Sequence, residues 1–247
     1  MTKNIIKLKV GDLKGNTNKS VYLYFDDCTS EKIPITESNT EYTIPIPSGK
    51  RLEMFNGLKE ITETVISAKF AKSYFVNIGL CVNVYLDDCD ISAMDSMRSL
   101  FLDNRLLKTV DFGNIKTENI SSMDCMFYNC YMLHDKLDLS HFNTANVENM
   151  KDMFASCRSL RKLDLSTFDT QNLGKIDNMF QFCENLESLD LSGWDLPKIT
   201  SNKPNWMFYG TTNLKTVYMR GCNEDTIKKI RFQLDDAKNF GTKIITE

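Results

Sequence analysis

Apolar and polar positions alternate in phase along most of this chain. A Phe recurs at Phe101, Phe127, Phe154, Phe180 and Phe208, at intervals of 26, 27, 26 and 28 residues. Six residues after each Phe stands a Leu, at Leu107, Leu133, Leu160, Leu186 and Leu214. A short apolar-x-apolar run follows: Val110/Phe112, Leu137/Leu139, Leu163/Leu165, Leu189/Leu191 and Val217/Met219. A fixed period of this length marks a solenoid, in which each copy buries its apolar face only by stacking on its neighbours.

Within a copy the pattern changes from one half to the other. Val147, Met150, Met153, Phe154 and Cys157 step by threes and fours, as do Leu173, Ile176, Met179, Phe180 and Cys183, and this spacing predicts a helix in the first half. The second half, such as Leu163-Asp164-Leu165, predicts a strand with both Leu inward and the Asp outward. Phe142, Phe168 or Trp194 then turns back into the core. A Thr-x-Asn-apolar phrase follows at Thr117, Thr144 and Thr170, where Thr and Asn are expected to cap the coming helix and satisfy turn amides. The fold class expected is therefore α/β: a solenoid with a parallel sheet, spanning residues 76–247.

Residues 1–75 lack the repeat. Ile6, Leu8 and Val10 alternate with Lys7 and Lys9, and further strands are expected at Val21 to Phe25 and Tyr42 to Ile46. Pro45 marks the last of these as an edge strand. These signs predict a small all-β N-terminal module that serves as a docking piece, an oligomerising piece or a cap. Between Leu58 and Val84 the signal is mixed, but Val84-Tyr85-Leu86 lies 26 residues before Val110-Asp111-Phe112 and reads as an early repeat strand. At the other end, Ile227, Ile230 and Leu234 predict a helix from Asp225 to about Ala237, and Lys243-Ile244-Ile245 a final strand. Together these form the C-terminal cap that a solenoid requires.

Composition narrows the function classes. The 247 residues are 42% hydrophobic and 26% charged, enough for a sizeable core, and the net charge of −3 gives no broad basic footprint for nucleic acid. No apolar run is long enough to predict a membrane span. The N-terminus alternates rather than forming a secretory h-region; synthesis in the cytoplasm and a place at a cell surface or in a virion are expected, reached without an obvious signal or with one outside this sequence. Of eight cysteines, Cys130, Cys157 and Cys183 each follow the repeat Phe by three residues, which predicts one column of buried thiols. No Cys-x-x-Cys pair suggests zinc.

The phrase Met-Phe-x-x-Cys-x-x-Leu-x-x-Leu-Asp-Leu-Ser-x-Phe-Asp-Thr-x-Asn-Leu at residues 153–173 resembles the BspA-like leucine-rich repeat family, whose repeats of roughly 26 residues occur in surface proteins of bacteria and some protists. The resemblance covers about 94–220. It implies a right-handed leucine-rich-repeat solenoid and adhesion to, or recognition of, host proteins and surfaces without catalysis. Family members usually carry an export signal and more repeats. The alternative expectation, which a short two-part chain without a leader also suits, is a structural or attachment component of a bacteriophage virion, docked by its N-terminal module.

Candidate chemistry is sparse. His134 and His141 are the only histidines and fall in one repeat, His134 within its one-residue insertion; both are expected as loop residues at the surface. No phosphate loop, paired-His metal motif or EF-hand spacing appears, and no cofactor is expected. Asp111, Asp138, Asp164 and Asp190 occupy one outward position in four successive copies. Like charges about 4.8 Å apart repel unless hydrogen bonds, lysines or a cation offset them. Ser hydroxyls and turn amides are the expected answer, with a ligand-facing acidic strip, flanked by Tyr85 and Tyr218, as the functional alternative. Tyr128 is a further possible contact; the acidic runs Asp26-Asp27 and Asp87-Asp88 with Asp90 suit solvated turns. The expected function is non-enzymatic binding of a protein or cell-surface partner through the sheet side, with residues 1–75 available for self-association or assembly.

Overall fold

The computed structural model describes residues 4–14, 19–70, 77–200 and 203–247. The expected boundary at 75/76 lies outside the described residues. The chain is a mostly β solenoid, with one helix and three sheets among the described residues. The sheet pairing shows how the N-terminal strands join the first coils.

The N-terminal strands are β1 (Ile5–Val10), β2 (Lys19–Phe25), β3 (Ser30–Ile35) and β4 (Glu41–Pro45). In β1, Ile6, Leu8 and Val10 are buried while Lys7 and Lys9 face solvent, the period-two outcome of the pleat. Next come β5 (Leu52–Asn56), β6 (Ile61–Ser67), β7 (Asn77–Gly79) and β8 (Asn83–Leu86), then β9 (Thr109–Asp111). β1 pairs antiparallel with β4 and β6, and β2 antiparallel with β3 and β5. β5 and β6 then pair in parallel with β7 and β8, and β8 with β9. One sheet therefore runs β4-β1-β6-β8-β9, from the antiparallel strands into the coils without interruption. β4 ends that sheet, and Pro45, which has no N–H to donate, sits on it as an edge residue.

The third sheet contains β10 (Lys162–Asp164), β11 (Ser188–Asp190), β12 (Thr216–Tyr218) and β13 (Lys243–Ile245), all parallel. The helix α1 (Glu224–Asp236) starts at the N-cap Asn223, whose Oδ1 accepts the Thr226 N–H at 2.8 Å. Its buried Lys229 donates from Nζ to the Leu196 carbonyl at 2.7 Å and pairs with Asp225 at 2.6 Å. Gln233 holds the link before the last coil through the Lys203 carbonyl and the Asn205 N–H, both at 3.0 Å. Helix and final strand stand where the sequence places them.

The first half of each repeat is not helical. From Met150 to Cys157 the backbone is a run of turns: the Met153 N–H bonds to the Met150 carbonyl, and the Cys157 N–H to the Phe154 carbonyl. Asp152 and Ser156, the third residues of these turns, have φ of 56° and 63°. A positive φ at that position defines a type II turn and excludes a right-handed helix. The intervening amides cross to the next coil, the Phe154 N–H to Met179 and the Ser156 N–H to Gln181. Two type II turns in succession place inward residues at the same three-and-one steps as a helix face, so periodicity alone does not separate them. The α half of the expected α/β class is thus replaced by turns, and the repeats form a β-solenoid.

With no helix to cap, the Thr-x-Asn phrase ties coils together. The hydroxyls of Thr117, Thr144 and Thr170 donate to the carbonyls of Asn143, Asp169 and Asp195, one coil ahead. The amides of Asn146 and Asn172 reach back to Glu118 and Ala145.

The core is a set of columns. Phe101, Phe127, Phe154, Phe180 and Phe208 are fully buried and stack ring on ring, with centroids 5.4–5.8 Å apart and planes within 13° of parallel. Beside them Cys130, Cys157 and Cys183 are free, buried thiols that donate to the carbonyls of Phe101, Phe127 and Phe154. Burial pushes the Cys183 thiol up to about 12. The column is structural, as the spacing predicts.

Candidate functional site

The outward face of the sheet carries the candidate residues. Parallel register places Tyr85 beside Asp111, Asp164 beside Asp190, and Asp190 beside Tyr218. Asp138 belongs to the coil between Asp111 and Asp164. Tyr85, Asp111, Asp138, Asp164, Asp190 and Tyr218 therefore form one line across successive coils, aromatic at both ends. Tyr85, Asp111, Asp138 and Asp164 are exposed, Asp190 and Tyr218 half-buried. Tyr128 stands elsewhere, half-buried in a turn-rich corner whose backbone carbonyl accepts the Asp103 N–H.

Each Asp of the line makes the same local bond. Oδ1 of Asp111, Asp138, Asp164 and Asp190 accepts the N–H two residues on, from Gly113, Ser140, Ser166 and Ser192, at 2.8–2.9 Å. These are Asx turns, and they end the strand and begin the corner. At Asp138 the amide and hydroxyl of Ser140, with the charge of His141, hold the carboxyl below its ordinary value. Among the described residues none of the four forms a salt bridge, so their charge is offset locally by amide dipoles. Matched charges lie one column away, where Glu187 is bracketed by Arg161 at 3.2 Å and Lys215 at 2.9 Å. Those two cations hold the Glu187 carboxyl below its usual range, Lys215 contributing most.

The strip crosses a discontinuity. β9 is the last strand of one sheet and β10 the first of the next, and the coil between them, through Leu137-Asp138-Leu139, contains no strand. The cause is in the sequence. His134 is the extra residue that makes this interval 27; its N–H still bonds to the Lys108 carbonyl at 3.3 Å, and the chain leaves the ladder after it, at Asp135 and Lys136. The Asp135 carboxylate takes over part of the lost pairing, accepting the amides of Arg161 at 2.7 Å and Lys162 at 3.1 Å. A cleft of about 580 Å³ opens beside β9, with Tyr85, Asp111, His134, Lys136, Asp138 and His141 among its walls. Gly113 also lines it: its φ is +55°, and a Cβ there would lie 2.6 Å from the Leu86 carbonyl oxygen.

The structure thus brings three of the six strip residues together with both histidines. The histidines, expected as loop residues at the surface, both line this cleft; the one-residue insertion at His134 signalled an irregularity there. His141 packs edge-on to Phe142 at 5.1 Å, which fixes its ring beside the cleft. A second cleft of about 610 Å³ crosses four coils at Arg98, Asp124, Glu148 and Lys175. There the charges are partly internally paired, Arg98 to Asp124 at 3.3 Å. Tyr131 forms a third surface feature, with the guanidinium groups of Arg105 and Arg158 at 5.2 and 4.8 Å from its ring.

Among the described residues no group of three or more His, Cys, Asp or Glu is placed to hold a metal ion. No helix there is long and apolar enough to cross a membrane. No curated protein and no solved structure matches the chain. One protein family does match, over residues 95–221 and 132–246, which together exceed half of the chain. The chain belongs to the family described as Mycoplasma protein of unknown function, DUF285.

Proposed function

We propose that this chain is a non-enzymatic recognition protein that binds a protein or cell-surface partner through the outward face of its solenoid sheet. One observation carries the reading: an exposed to half-buried line of four carboxylates, closed by Tyr85 and Tyr218, forms no salt bridge among the described residues, the imidazole of His141 beside Asp138 being the cationic group that acts on it. Buried columns of Phe, Leu and Cys carry the stability, so the outward line is free to vary in service of a ligand. Tyr rings are side chains that anchor interfaces, and a row of carboxylates favours a basic partner by charge complementarity. The resemblance to BspA-like repeats, proteins of adhesion, supports the same reading. The N-terminal strands act as a cap, since β1 and β2 cover the outer edges of β6 and β5 that the first coil would otherwise expose. That use of their inner edges weighs against the rival reading, a virion component docked by its N-terminal module.

The test is the fourfold replacement of Asp111, Asp138, Asp164 and Asp190 by Asn. Asn keeps the Asx turn, so the fold is expected to stay intact while the charge disappears. Fluorescently labelled wild-type chain is expected to bind cultured host cells in flow cytometry, and the Asn variant to lose that binding. Equal binding by a variant with an unchanged melting curve would sink the reading.

A further inference from the structure

The cleft at the break points to a more specific ligand, and this inference rests on the reading of the strip as a recognition face. Two features meet there. β9 ends its sheet, so one side of Thr109–Asp111 has no strand partner, and β10 likewise begins the next sheet. An unpaired strand edge is a template for another extended chain. Natural proteins protect such edges with bulges or a covering loop; here the chain leaves the ladder after His134, whose N–H still bonds to the Lys108 carbonyl, and a cleft opens beside β9. The second feature is charge. Asp111 and Asp138 both line that cleft, each with one oxygen committed to an Asx turn and neither in a salt bridge among the described residues. Lys136 is the one lysine in the lining, which Tyr85 and His141 also join, the imidazole charge acting on Asp138.

We infer that the break between β9 and β10 binds a short extended peptide, which adds as a strand to β9 and places a basic side chain between Asp111 and Asp138. β9 has three residues, so at about 3.3 Å per residue the added strand spans roughly 10 Å. Side chains of an added strand alternate between the two faces, so every second residue of the peptide meets the outward line. Tyr85, beside Asp111 in the register, offers a ring to the aliphatic stem or charged head of the next basic residue. The occupant is thus a segment of alternating apolar and basic residues from another protein. Asp190, farther along the same strip, lacks the open edge, because β11 is paired on both sides, and at β10 the Asp135 carboxylate already takes the Lys162 amide.

The probe is a capped Val-Lys-Val-Lys-Val-Lys peptide, titrated into the full chain by calorimetry and by amide NMR. Binding with shifts centred on Thr109 to Asp111 is expected. The same peptide with its alternate edge-facing amides N-methylated keeps every charge but cannot donate to β9, and it is expected to bind weaker by about tenfold or more, the worth of one or two hydrogen bonds. Deleting His134 restores the 26-residue interval and is expected to close the break, with a similar loss. Equal affinity for the N-methylated peptide, measured on the wild-type chain, would overturn strand addition whatever the deletion variant does. So would absence of binding, or shifts centred elsewhere. If the peptide fails while the cell binding of the wild-type chain still depends on the four carboxylates, this inference falls and the recognition reading stands; if neither is seen, both fall.

Discussion

The ring of Phe154 lies on that of Phe180 with centroids 5.8 Å apart and planes 9° from parallel. Phe127 stacks on its other side at 5.5 Å, so Phe154 is held from both coils. A ring in the middle of such a column has no space to be refilled by relaxation of one neighbour. Phe154→Ala is therefore expected to cost about 3–5 kcal/mol, through the cavity and the lost stacking. Phe208 has a ring neighbour on one side only, Phe180. Phe208→Ala is expected to cost about 0.5–1.5 kcal/mol less than the central change, the worth of one aromatic pair. Urea unfolding of both variants checks the order, and equal losses would mean that the column does not act as a unit.

Asp152 tests the turn architecture by the sign of an effect. Its φ of 56° places it in the left-handed region, where a Cβ is costly. Asp152→Gly is expected to leave stability unchanged or raise it by up to about 1 kcal/mol, and Asp152→Val to lower it by about 1–2 kcal/mol. In a helix the first substitution would instead destabilise slightly, by about 0.3 kcal/mol, and the second would be nearly neutral, since Asp and Val have similar helix propensities. Chemical denaturation gives the sign directly.

This position also shows why the repeat was only partly legible in the sequence. The Phe, Leu and Cys columns follow from the period, because a stacked coil can bury nothing else in those places. The turns do not follow, because Met150, Met153, Phe154 and Cys157 have helical spacing whichever backbone they occupy. The discriminating signal was the other residues. Asp152, Asn178, Asp103 and Asn129, all with positive φ, are Asp or Asn, the types that enter the left-handed region most readily. That signal is blurred by Phe182 and Trp206, which take the same conformation against their preference. The strand Ser30–Ile35 was hidden by its polar start, Ser30, Glu31 and Lys32, and by Pro34, which shares the exposed face with Ser30 and Lys32, and only pairing with β2 defines it. For the site, the offset of 26 residues from Tyr85 to Asp111 was enough to place the Tyr in line. The cleft was not readable, since an insertion at His134 announces a bulge but not which way it opens.

The pairing of β5 with β7 and of β6 with β8 decides what truncation will do. A chain beginning at residue 76 keeps Ile78 and Val84, both fully buried, and lacks the strands that lie beside them. It would present two uncovered parallel edges and an open core. Such a fragment is expected to aggregate or to melt without cooperativity, whereas the intact chain melts in a defined transition. Size-exclusion chromatography with light scattering and a thermal melt would show this. A soluble, cooperatively melting fragment would mean that residues 1–75 are dispensable to the coils and available for assembly.

Asp138 should carry a pH signature of the cleft. Its carboxyl is held below the ordinary 3.8 first by the Ser140 amide, then by the Ser140 hydroxyl, with the His141 charge the smallest of these contributions. A depressed carboxyl favours the folded state at every pH above its unfolded value, and that contribution is lost as pH falls through the lower folded value. The sensitive window therefore lies below about pH 4, not near neutrality. Ser140→Ala is expected to raise the Asp138 pKa, and His141→Ala to raise it by less, with the carboxyl still below its ordinary value because the amide remains. A carboxyl-carbon NMR titration of the three proteins measures this directly. If His141→Ala leaves the Asp138 curve unmoved, the imidazole does not face the carboxylate, and the two residues do not share the wall of the cleft. A shift larger than that of Ser140→Ala would instead make the histidine, and not the Asx turn, the main source of the depression.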